Sequence, residues 1–204
     1  MKVTKPKFER HKFYSGLNWW YMNGKLKKVL KMVGVGGVAL DFGCWLGHFL
    51  PTLTNNYHTI YAVDIDKSYL TAAEKNMKEH YAKTIKDFKD CNIYYHTSTK
   101  GLPNKSCDII FMLDVLEHLK DRKEVYNEIK RILKPDGSLI ITMPLNNKWR
   151  KNLMKILRIQ EAECHKVFNA QEVVAELQDN FKIRETKYYP SLFPISYTMR
   201  CANE

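Results

Sequence analysis

No apolar run in this sequence approaches the roughly 20 residues that a membrane-spanning helix needs. The amino terminus is lysine-rich and lacks the apolar core of a secretory signal, so a cytoplasmic protein is expected. The five cysteines, at 44, 91, 107, 164 and 201, form no CxxC pair and no regular spacing. That pattern argues against a zinc site or a disulfide framework and for buried free thiols. Internal repeats and low-complexity segments are also missing, and 204 residues that are 45% hydrophobic suffice for one full core. A single domain over 1–204 is therefore expected. Acid is scarce in two places: residues 1–31 hold nine Lys or Arg against Glu9 alone, and 148–158 hold Lys148, Arg150, Lys151, Lys155 and Arg158 with none. These two elements carry +8 and +5, which leaves the rest of the chain at −2 out of a net +11. Such local patches suit anionic surfaces, although a solvated face is the commoner outcome.

The most informative segment that is present runs from Val38 to Phe49, where an apolar strand enters a glycine-bearing turn and then a helix. Gly43 lets the backbone come close to a ligand, and Gly47 lets the following helix pack on the strand. Asp41 at the strand end would repel a pyrophosphate but suits an ammonium or hydroxyls. A second apolar run ends in an acid at Asp64, 23 positions after Asp41, the placement used to hold ribose hydroxyls. Gly34-Val35-Gly36-Gly37-Val38-Ala39 also fits GxGxxA, but it precedes the strand instead of following it and reads as a connector.

Periodicity and turn signals place strands at 38–42, 58–63, 92–97, 107–113, 138–143, 181–188 and 195–201. Helices are expected over 47–55, 67–82, 121–133, 147–159 and 170–180, with Pro51 tolerable only in a first turn and Pro135-Asp136-Gly137 as a turn before a strand. Alternating strands and helices of this length indicate a mostly parallel sheet covered on both faces, with ligands at the carboxyl ends of the strands.

The Val38–Phe49 motif and the acid at 64 resemble the class I S-adenosylmethionine-dependent methyltransferases. Leu102-Pro103 with Cys107-Asp108-Ile109-Ile110, Leu113-Asp114-Val115-Leu116-Glu117-His118-Leu119, and Leu133-Lys134-Pro135-Asp136-Gly137 resemble that family's LP...FD, VLEHL and LKPGG segments in order and spacing. The likeness covers about residues 18–190 and is nearest the type 11 and type 23 small-molecule and lipid branch. It implies a three-layer, Rossmann-like α/β sandwich with a mostly parallel seven-stranded sheet and an antiparallel last strand. Residues 1–31 would form a basic, aromatic cap and 145–170 an insertion over the active site.

The resemblance also implies a cofactor site. Asp41, Gly43 and Gly47, with Cys44 and Trp45 on the same turn, would line the methionine part of S-adenosylmethionine. Asp64 would bind its ribose, Ile65 would pack on adenine, and Ser98 and Thr99 fall where the family often contacts the adenine amine. Leu113 lies on the segment expected beneath the sulfonium. Trp45 replaces the family's middle glycine, and would either cover the pocket or pack beneath the first helix. Asn18-Trp19-Trp20-Tyr21 resembles a HWWF lead-in, so Trp20 is a candidate to cap the cofactor and Lys25 a candidate to contact its carboxylate.

Methyl transfer needs an aligned nucleophile more than a catalytic residue, so the lack of a nucleophile motif is expected. His165 and His118 are the candidate bases for a weakly acidic acceptor. Met143-Pro144-Leu145-Asn146 is not the NPPY type of amino-methylating nucleic-acid enzymes. The favoured function is direct methyl transfer to a small-molecule or lipid-linked acceptor, with no metal and with peripheral contact between the basic segments and an anionic membrane. RNA methylation and a non-catalytic binding subunit are the alternatives.

Overall fold

The computed structural model describes residues 16–82, 91–119, 121–145, 147–156, 170–192 and 194–203. Residues 157–159 of the helix expected over 147–159 and most of the 145–170 insertion lie outside them. The elements run in chain order as α1 (Gly16–Leu30), β1 (Val38–Phe42), α2 (Leu50–Leu53), β2 (Thr59–Val63), α3 (Lys67–Ala82), β3 (Asn92–His96) and β4 (Cys107–Leu113). After a short 3-10 turn at Leu116–His118 come α4 (Arg122–Ile132), β5 (Leu133–Pro144), α5 (Lys148–Ile156), α6 (Ala170–Gln178), β6 (Lys182–Tyr189) and β7 (Ser196–Ala202).

The seven strands form one sheet in the order β3-β2-β1-β4-β5-β7-β6. β1 pairs in parallel with β2 and β4, β2 with β3, and β4 with β5. β7 runs antiparallel to both β5 and β6, as expected of the last strand. The sheet has two apolar faces because consecutive strand residues point to opposite sides. Leu40, Ile110, Met112, Leu139 and Ile141 pack with Tyr126 and Ile129 of α4 and Val173 and Leu177 of α6. Ala39, Ile109, Phe111 and Ile140, one position out of step, pack with Leu26 and Val29 of α1, Leu50 and Leu53 of α2, and Leu70, Ala73 and Met77 of α3. Two covered faces make the three layers.

Two boundaries depart from the periodicity. The helix expected over 47–55 is confined to Leu50–Leu53. Gly47 has φ +75°, a left-handed conformation that cannot be part of a right-handed helix, and Pro51 sits in the first turn where its missing N–H costs nothing. The strand expected at 138 begins at Leu133, which pairs with Cys107; a register shift then absorbs the Pro135-Asp136-Gly137 segment before Ile109 pairs with Ser138. The helix expected over 121–133 runs from Arg122 to Ile132, with the Asp121 carboxylate capping it by accepting from the Glu124 amide at 3.2 Å.

Sheet topology positions the site. From β1 the chain winds outward through β2 to β3, then returns to lay β4 on β1's other side. The order reverses between β1 and β4, and the crevice at their carboxyl ends is where such sheets bind ligands.

Candidate active site

Residues from the ends of β1, β2 and β4 converge on that crevice. Gly43 takes φ +77°, and a Cβ there would stand 2.6 Å from Cγ2 of Val115, so only glycine lets the β1 turn approach the loop after β4 so closely. The amides of Gly43 and Cys44 both donate to the Val63 carbonyl, at 2.8 and 3.0 Å, which ties the turn to the end of β2. A Cβ on Gly47 would lie 3.0 Å from that of Ala73, so this glycine lets the turn seat on α3.

Asp41 is buried, and among the described residues its Oδ2 has no hydrogen-bond partner. Burial, followed by the charge of Asp64, pushes its carboxyl up to about 7. The same burial, with the charges of both aspartates, raises the Cys44 thiol, which makes it an inert neighbour. The Asp64 carboxylate spans the second strand end: Oδ2 accepts from the Trp45 amide at 2.9 Å and Oδ1 from the Asp66 amide at 3.0 Å. Asp66 in turn caps α3, accepting the Ser68 amide at 2.8 Å. Beside them Ile65 is 92% exposed, an unusual position for an isoleucine and one that leaves its side chain free to meet a flat apolar ligand.

Trp45 stands where the family motif has glycine and keeps the glycine conformation, with φ +46°. Its half-buried ring packs on His48, at 5.0 Å between centroids, and edge-on against Tyr69 of α3 at 6.4 Å. A left-handed tryptophan costs about 1–2 kcal/mol in the backbone, and an aromatic contact of this kind returns about 0.5–1.5 kcal/mol. Trp45→Gly should therefore change folding stability by less than about 1 kcal/mol in urea unfolding. A loss of several kcal/mol would make the ring a core residue.

Other predicted positions sit further from the crevice. Ser98 is exposed, its hydroxyl accepting from the Lys100 amide. Thr99 is buried and its hydroxyl donates to Glu128, part of a network in which Arg131 binds Glu128 and the Thr99 carbonyl. Leu113 ends β4, half-buried, and Trp20 is 63% exposed on α1. His118 is exposed on the 3-10 turn, and His165 lies outside the described residues.

Lys25 is fully enclosed and ion-paired with Asp114, a partner 89 positions away. Thr142 of β5 donates to Asp114 at 2.9 Å through its hydroxyl, and Asp114 holds φ +57°. Burial opposes the charge on both ends of this pair, but mutual attraction outweighs it: Lys25 is held above and Asp114 below the ordinary values. Glu117 and Arg150 are buried beside them. Arg150, counted above with an exposed basic segment, is instead turned inward, because its guanidinium lies close enough to act on Tyr21, Asp114 and Glu117. Sequence reasoning missed this cluster of Tyr21, Asp114, Glu117 and Arg150. The one legible signal was two acids in an otherwise apolar segment, Leu113-Asp114-Val115-Leu116-Glu117.

Among the described residues no group of three or more His, Cys, Asp or Glu is placed to hold a metal ion, and no helix is long and apolar enough to cross a membrane.

The strand order, with its reversal between β1 and β4 and helices on both faces, defines a Rossmann-like fold. A methyltransferase-domain family model matches residues 40–141, half of the chain, and the chain belongs to that family. The chain is 26% identical over 143 residues to the ubiquinone biosynthesis O-methyltransferase of Actinobacillus pleuropneumoniae, an alignment covering 61% of this chain and 58% of that protein. It is 24% identical over 121 residues to phosphoethanolamine N-methyltransferase 2 of Caenorhabditis elegans, covering 57% of this chain and 26% of that one. The chain thus spans little more than half the length of the first relative and about a quarter of the second. In fold it is similar to a SAM dependent methyltransferase from Aquifex aeolicus, with a TM-score of 0.68, 21% identity, and 87% and 89% of the two chains covered.

Proposed function

We propose that this chain transfers the methyl group of S-adenosylmethionine to a small-molecule acceptor. The observation that carries the reading is the pair of acids in the crevice: Asp41, with a buried oxygen lacking a partner among the described residues, and Asp64, whose carboxylate already organises the β1 turn. That donor set fits the cofactor. Asp41 offers a desolvated acceptor to its ammonium, Asp64 offers carboxylate oxygens to its ribose hydroxyls, and exposed Ile65 offers an apolar face to its adenine. Gly43 packs directly against Val115, which seats the β1 turn beside the end of β4 where the methionine part would lie near Leu113. When bound, the cofactor supplies an electrophilic methyl carbon on a sulfonium. The protein's share is then to exclude water, align the acceptor in line with that carbon and manage one proton.

Isothermal calorimetry tests the reading. S-adenosylmethionine and S-adenosylhomocysteine should bind with Kd near micromolar, about −8 kcal/mol. Asp64→Ala should weaken both by a factor on the order of 10 to 100, the loss of a charge-assisted contact of roughly 1.5–3 kcal/mol. No heat at millimolar ligand would remove the methyl-transfer reading, and an unchanged affinity in a folded Asp64→Ala would move the ribose site elsewhere.

A further inference from the structure

Half of the eight exposed large hydrophobic side chains among the described residues belong to three adjoining elements: Trp20 on α1, Trp149 on α5, and Tyr188 and Leu192 at the β6–β7 turn. Contacts join these elements. Gly24, one turn after Trp20, lies directly against the Tyr189 hydroxyl, which holds α1 to the end of β6. Lys28 donates to the Tyr188 carbonyl at 2.5 Å and to the Ser191 hydroxyl at 2.7 Å, so Leu192 directly follows a residue anchored to α1. On the other flank Asn147, just before α5, donates to the Pro194 carbonyl at 2.6 Å. Leu192 is 85% exposed at the tip of the turn. Apolar side chains gathered on one part of a surface mark a place where something else binds.

Charge on this part of the surface has one sign. Residues 16–40, 145–156 and 186–202 contain no Asp or Glu. Lys27 and Lys31 follow Trp20 by about two and three helical turns, and both are exposed. Lys148, Lys151 and Lys155 are exposed around Trp149 on α5. Arg150 is buried, so the outward cations of both helices are all lysines. A lysine is a point charge on a flexible stem, which suits a diffuse anionic surface better than bidentate recognition of a single phosphate. Exposed tryptophans and an aliphatic tip suit the boundary between lipid headgroups and acyl chains. A second copy of this chain would instead bring like charges face to face, and RNA would use the lysines while leaving Leu192 without a role.

We infer that α1, α5 and the β6–β7 turn form a docking surface for an anionic lipid bilayer. Leu192, Trp20 and Trp149 reach the acyl boundary, and Lys27, Lys31, Lys148, Lys151 and Lys155 lie among the headgroups. The inference stands apart from the methyl-transfer reading, because it uses only the outward sides of these elements. The same two helices turn Lys25 and Arg150 inward beside Asp114, so a docked bilayer lies next to that end of the sheet.

Co-sedimentation of the full chain tests it, with vesicles of phosphatidylcholine alone and of an equimolar mixture with phosphatidylglycerol. The chain should pellet with the mixed vesicles, leave them as salt is raised, and stay in solution with the neutral ones. Lys27→Gln with Lys151→Gln and Lys155→Gln should lower the affinity on the order of 100-fold, from roughly fivefold per lysine. Trp149→Ser with Leu192→Ser should lower it roughly tenfold. All five side chains are exposed, so both variants should keep the urea midpoint of the unaltered chain. Independently of any substitution, lipids brominated on their acyl chains should quench the tryptophan fluorescence of the unaltered chain in mixed vesicles. Failure to bind mixed vesicles overturns the inference, as does equal binding to neutral ones or full affinity in either folded variant. Binding of single-stranded RNA without binding of vesicles overturns it in favour of a nucleic-acid surface. A dimer that Trp149→Ser with Leu192→Ser dissociates, in a chain that ignores vesicles, overturns it in favour of self-association.

Discussion

Asp41→Asn should make the free protein more stable above neutral pH while weakening its hold on the cofactor. Burial and the neighbouring Asp64 raise the Asp41 carboxyl from 3.8 to about 7, so the folded state holds a proton that the unfolded chain releases. Stability tied to this group is fully present below the unfolded value and is lost as pH rises through about 7. Ionised Asp41 then costs the fold at most about 4 kcal/mol, and asparagine avoids that cost. An ammonium placed against Asp41 reverses the balance: binding requires the charged form, so affinity should fall about tenfold for each pH unit below neutrality. Urea unfolding at about pH 5 and about pH 9, with and without S-adenosylhomocysteine, checks both signs. If Asp41→Asn reproduces the pH profile of the unaltered chain, a countercharge already sits on Asp41 and the ammonium assignment fails.

Lys25→Ala should cost the fold about 2 kcal/mol. Removing one partner of an enclosed ion pair commonly costs more, but the accessible third of Asp114 lets water screen the charge left behind. The double variant Lys25→Met with Asp114→Asn should recover most of that loss, because no bare charge remains and asparagine tolerates the left-handed backbone at 114. A double-mutant cycle in urea measures the coupling. A single variant as stable as the unaltered chain would show that the pair contributes nothing to α1 docking on the sheet.

The pair also marks the boundary between what local sequence carries and what it does not. Strands β1 to β4 and helices α3 and α4 were legible to within a residue or two, because each has a clean period and an identifiable start or stop, such as Asp121 before α4. The placement of Asp41, Gly43, Gly47 and Asp64 at or just beyond the ends of β1 and β2 was legible for the same reason, and strand ends in a parallel sheet share one side. The extent of α2 was decided by a backbone angle at Gly47, and the start of β5 by pairing with Cys107 across the sheet. Neither is a property of the local segment. Lys25 read as one basic residue among nine in a leading segment and as a candidate contact for the cofactor's carboxylate, and Arg150 as one of five in another segment. Only the packing of α1 and α5 over the ends of β4 and β5 turned both inward, beside acids that read as part of an apolar loop. Residue type and spacing determined the sheet, its order of elements and the acids of the crevice. Tertiary structure alone decided which cations are enclosed and which carboxylates they neutralise, because an ion pair spanning 89 positions has no signature in either segment.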